Sequence, residues 1–168
     1  MRKLIFAASI AMTVMALSAC GNSGDEDKAA APTTAVAPVA KPTNPADTAA
    51  WGKYLGTIVK ANMQGMTADR PYPYLVPAGD DDAAVAGRER QLENVQGTTA
   101  RGVLPGNMLA FGGPDSTKTA DLIVAAFKDT QAGSFKKVIV LFIGDAADKD
   151  RVGAVVTPTG AEYRFVQM

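Results

Sequence analysis

The chain opens on an apolar run. Leu4 to Leu17 (LIFAASIAMTVMAL) is 14 residues without a charge, preceded by Arg2 and Lys3. That length suits the core of a secretory signal and falls short of the roughly 20 residues a helix needs to cross hydrocarbon. From Gly21 the pattern inverts. Residues 21–47 hold four of the ten prolines, many Ala and Thr, and neither an aromatic residue nor a leucine. Such a stretch cannot bury enough apolar surface to offset the entropy of ordering it, and its prolines favour extended polyproline II. It reads as a spacer.

Periodic patterns begin near Thr48. Trp51, Tyr54, Leu55, Ile58, Val59 and Met63 recur at helical spacing after Asp47, a ready N-cap, and predict a helix over about 48–64 with one apolar face. Gly52 and Gly56, four apart, suggest a close approach to a neighbour. Residues 69–79 (DRPYPYLVPAG) contain three prolines, which forbid a helix interior and a central strand, so an extended surface segment is expected. There Tyr72 and Tyr74 either form a stacking platform for a glycan ring or Pro-rich peptide, or plug the core. Asp80, Asp81 and Asp82 stand where a second helix begins, in the favourable field of its first amides. Val85, Leu92 and Val95 give that helix a narrow apolar stripe, so it should be peripheral.

The later half is more regular. Val103–Leu104 and Met108–Phe111 are short strand candidates around a Pro105–Gly106 turn. Gly112-Gly-Pro-Asp115 stops the second and starts a helix over about 116–130 with Leu122, Ile123, Ala126 and Phe127 on one face. Lys137 to Ile143 (KVIVLFI) is an unbroken β-branched and aromatic run, the mark of a strand covered on both faces. Strand, helix and strand in this order predict a βαβ crossover. Val152–Val156 and Glu162–Val166 flank Thr157-Pro-Thr-Gly160 and read as a closing hairpin. The expected fold is α/β, with α+β as the alternative: a small mixed sheet with a βαβ unit and a C-terminal hairpin, and the N-terminal helices packed on it. Residues 48–168 suffice for one domain.

Composition then removes chemistry. The full chain has no histidine, one cysteine, and 17 basic against 17 acidic residues. No Ser-His-Asp triad, Cys-His pair or His/Cys zinc site can be assembled, and no intramolecular disulfide. Balanced charge without a basic cluster leaves no nucleic-acid footprint.

The one cysteine follows the apolar run directly, in Leu17-Ser18-Ala19-Cys20-Gly21. Small residues before a cysteine resemble the lipobox of bacterial lipoproteins, over residues 1 to about 21. The resemblance implies cleavage after residue 19 and a diacylglycerol on the Cys20 thiol. Residue 21 is Gly rather than the Asp that holds such proteins in the inner membrane, which implies the periplasmic face of the outer membrane. Loss of Arg2 and Lys3 would leave 15 basic and 17 acidic residues, a net charge of −2. Acyl chains each add about 0.8 kcal/mol per buried methylene, so several anchor stably.

Two loops offer candidate chemistry. The junction Phe111 to Thr119 is a Gly-containing turn between strand and helix, where free amides with Ser116 and Lys118 suit an anion; no glycine precedes Lys118, so it is not a P-loop. After the most apolar strand, Asp145, Asp148 and Asp150 are oxygen donors for a hard cation, and Asp145 and Asp148 join Tyr72 and Tyr74 as a candidate binding surface, although the spacing is not that of an EF-hand and Lys149 and Arg151 nearly neutralise the acids. No cofactor is expected. The sequence therefore points to a lipid-anchored binding or accessory module of the cell envelope, with an envelope protein or peptidoglycan as partner. A subclass is an immunity or inhibitor lipoprotein whose segments 69–79 or 144–151 fill an enzyme's cleft. The alternative is a small glycan hydrolase that draws its two carboxylates from Glu89, Glu93 and Asp145.

Overall fold

The computed structural model describes residues 39–168. The leader, Cys20 and the spacer up to residue 38 lie outside the described residues. The fold is α/β. Helix α1 (Thr48–Ala61) precedes three strand–helix units: β1 (Tyr72–Leu75) and α2 (Asp82–Arg101), β2 (Met108–Gly112) and α3 (Ser116–Phe127), β3 (Ile139–Gly144) and α4 (Ala146–Val156). A short 3₁₀ turn over Thr157–Thr159 leads to β4 (Glu162–Gln167).

The four strands lie in the order β1-β2-β3-β4, and every pair is parallel. The predicted βαβ unit is β2-α3-β3. Two other expectations are overturned. The sheet is wholly parallel rather than mixed, and the C-terminal hairpin does not exist: Val152 to Val156 is the last turn of α4, and Glu162–Gln167 pairs parallel to β3. A four-residue helical repeat, not a strand's alternation, governs this stretch. Asp148, Val152 and Val156 are the buried positions of α4, one face of a helix. Pro158 stands at the helix end and Gly160, at φ 82°, turns the chain back toward the sheet.

Residues 69–79 contain β1, an edge strand, where proline is tolerated. Val103–Leu104 is not a strand; Val103 is half-buried and Leu104 is 77% exposed. Gly52 and Gly56 approach nothing within 4 Å and lie on the exposed side of α1.

Two cores sandwich the sheet. On one face Leu109, Phe111, Val140 and Phe142 pack under α3 and α4, with Val95 as the buried residue of α2. On the other, Met108, Ala110, Ile139, Leu141 and Ile143 pack under Trp51, Tyr54, Leu55 and Val59 of α1. Every residue of β2 and β3 is buried, which explains their continuous apolar sequence. Each large side chain sealed this way contributes about 1.5–3 kcal/mol. The strand order never reverses, so crossovers of one hand place α2, α3 and α4 on the same face. It also leaves no crevice where strand order changes direction, the place where open α/β sheets commonly bind ligands.

Candidate functional site

The carboxyl ends of β1, β2 and β3 each feed a helix, and each helix starts on an aspartate. Asp81 Oδ1 accepts from the Ala84 amide at 3.0 Å, and Asp115 Oδ1 accepts from the Lys118 amide at 3.0 Å. Asp47 does the same for α1 with the Ala50 amide at 2.9 Å. These carboxylates occupy the amides that an anion would need. At the Phe111–Thr119 junction Lys118 Nζ is taken as well, by Gly79 O at 2.8 Å and Asp80 at 2.6 Å. The anion site suggested by that motif is thus filled by the protein's own groups. The Lys118 ammonium, bonded to Asp80, holds that exposed carboxyl below its ordinary range, and Arg88 adds a smaller effect in the same direction.

Gly112, Gly113 and Gly144 are required by close approach. A Cβ on Gly113 would lie 2.3 Å from Val76 O, and one on Gly144 would lie 2.7 Å from Ser116 Oγ. That second contact brings Ser116, at the start of α3, onto the end of β3. Ser116 Oγ donates to Asp148 Oδ2 at 2.5 Å and accepts from the Asp145 amide at 2.7 Å. The other Asp148 oxygen accepts from Arg151 Nε at 2.8 Å. Arg151 continues to Asp121 at 2.6 Å and to Thr117 O at 2.9 Å, back on α3. Ser116 and Asp148 are buried, and both are fully partnered. Desolvation works against the Arg151 charge, but hydrogen bonds to Asp121 and Asp148 outweigh it and hold the guanidinium pKa above its usual value. This network clamps the two helix starts together.

The candidate binding residues separate accordingly. Asp148 is inside the clamp and unavailable to a cation or a partner, which corrects its place on the expected binding surface. Asp145 is exposed at the N-cap of α4, and its side chain makes no capping bond. Among the described residues no three His, Cys, Asp or Glu side chains gather as a metal set. Tyr74 stacks on Phe111 at 4.8 Å and 10° and belongs to the core edge rather than to a platform. Tyr72 is 49% exposed and borders a shallow hollow with Arg70 and Leu104. Glu89 and Glu93 are exposed on α2 while Asp145 begins α4, and α3 packs between those helices.

One groove went unrecognised in the sequence. Between α2 and α3, Val85, Leu92, Leu122 and Ala125 form an apolar floor, rimmed by Arg88, Glu89, Lys118 and Asp121, with a volume of about 390 Å³. Its signal was present in the stripe Val85, Leu92 and Val95, of which only Val95 is buried. Arg88 is fixed on the rim by Pro77 O at 3.1 Å and Gly79 O at 2.7 Å. No family model, curated protein or solved structure matches this chain. The Ser116–Asp148–Arg151 network is internally bonded, and the α2–α3 groove stands open beside it.

Proposed function

We propose that this chain is a lipid-anchored, non-enzymatic binding module of the bacterial envelope, held by acylated Cys20 at the periplasmic face of the outer membrane. An immunity or inhibitor role toward a wall-acting enzyme is the subclass that fits best. The observation that carries the reading is the closed carboxyl end of the sheet. Ser116, Asp148, Arg151 and Asp121 satisfy one another there, and Asp81 and Asp115 cap the first amides of α2 and α3. The open surface is the α2–α3 groove, whose apolar floor and fixed charged rim suit an apolar side chain of a protein partner. Segments 69–79 and 144–151 contain β1 and the first turns of α4, so neither is a protruding loop, and the groove is the better contact.

The test is photo-crosslinking in intact envelopes from a reactive residue at position 85, an exposed position of the groove's floor. The expected result is one discrete adduct that disappears when Leu92→Glu places a charge on the floor. An adduct that persists in Leu92→Glu, or hydrolysis of envelope glycan by the purified chain, contradicts the proposal.

A further inference from the structure

The two edges of the sheet are built differently. In β1, Val76 N donates to Gly112 O at 2.8 Å, which sets the pleat: Tyr72, Tyr74 and Val76 turn their backbone groups toward β2, while Pro73 and Leu75 turn theirs outward. Pro73 has no N–H, and the outward Leu75 carbonyl accepts from Gln91 Nε2 of α2 at 3.1 Å. A proline and a side chain laid across the strand are devices that block edge pairing. In β4, Glu162 N donates to Val138 O at 2.8 Å and Met168 N to Gly144 O at 3.1 Å. Glu162, Arg164, Val166 and Met168 therefore face β3, and Tyr163, Phe165 and Gln167 face outward. Among the described residues their outward amides and carbonyls have no partner. The strand holds no proline, is half-exposed along its middle, and carries one acid and one base already paired with each other, Arg164 to Glu162 at 2.6 Å.

We infer that β4 pairs with β4 of a second copy of this chain, antiparallel about a two-fold axis centred on Phe165. The outward groups are self-complementary in that register. Phe165 faces Phe165, and Tyr163 faces Gln167 in each direction, so all three outward amides and carbonyls on both strands find partners. The adjacent register, centred on Arg164, would oppose two guanidinium groups and is disfavoured. The closed β1 edge prevents head-to-tail growth, so the assembly stops at two chains with one continuous eight-stranded sheet. The axis lies at the edge opposite β1, away from the α2–α3 groove, and each copy keeps its groove open.

The test is sedimentation equilibrium of the full-length chain, expressed with its own leader and extracted in a density-matched detergent. The expected mass is that of two chains. Gln167→Pro removes an outward N–H without touching the β3 ladder, and should return the mass to one chain that still unfolds in a cooperative melt, now independent of concentration. Independently, a photo-reactive residue at position 167 in isotopically light copies mixed with heavy copies should yield a light–heavy crosslinked peptide containing Tyr163. A single-chain mass at every concentration overturns the inference. So does a crosslink from position 167 into a different protein, which would mark a strand donated by another partner.

Discussion

Ser116 has a small side chain with three consequences. Its hydroxyl joins the end of β3 to the start of α3, satisfies one oxygen of buried Asp148, and accepts the Asp145 amide. Ser116→Ala leaves a buried carboxylate oxygen and a backbone amide short of a partner, so stability should fall by about 1–3 kcal/mol, read as a lower denaturant midpoint with an unchanged slope. Tyr163 sets a pH dependence. Its hydroxyl donates to Lys149 O at 2.8 Å, and its pKa is pushed up to about 12, chiefly by burial, with the charge of Asp150 adding to it. The folded state therefore favours the neutral phenol. Its contribution is fully present below the ordinary phenol value of 10.0 and is lost as pH rises toward 12. Thermal melts from neutral pH to pH 11.5 should fall, and the fall should be shallower in Tyr163→Phe, which has no phenol to ionise. An equally steep fall in that variant would assign the dependence to other groups.

At the scale of elements, β2 and β3 are wholly buried, whereas α2 places one of its 20 residues in the core. Local opening should follow burial. Amide exchange is expected to be slowest in Leu109–Phe111 and Val140–Ile143 and fastest among the helices in α2; equal protection across α2 and β3 would contradict this. The same difference explains what the sequence disclosed. The run Val138 to Ile143 and the stripe Trp51, Tyr54, Leu55 and Val59 announce their elements because all of these residues are buried, whereas Lys137 is exposed at φ 64° ahead of β3. β1 was obscured because Pro73 serves an outward edge position that only the pairing reveals. α4 resembles a strand in sequence because its repeat of Asp148, Val152 and Val156 includes a buried carboxylate, and Gly153 is small to admit the Tyr163 ring, 3.1 Å from where a Cβ would stand. The Ser116–Asp148 clamp joins residues 32 apart and has no local signature. The groove depends on which positions of α2 remain uncovered, a property of the packing of α3.

For the whole molecule, the described residues combine a closed sheet end with an open helical groove, and the proposed function adds an anchor at Cys20, the one cysteine of the chain. In the histidine-free chain the buried pair Ser116 and Asp148 is held by internal hydrogen bonds. The domain retains a rigid frame on which to present a surface. The anchor is the premise of that reading, because it fixes the compartment in which a partner is sought. Metabolic labelling with a radioactive fatty acid, run on the natural chain and on Cys20→Ser, tests it most directly. Label and membrane association are expected in the first and not in the second; label that persists in Cys20→Ser, or an unlabelled natural chain, would overturn the lipid anchor.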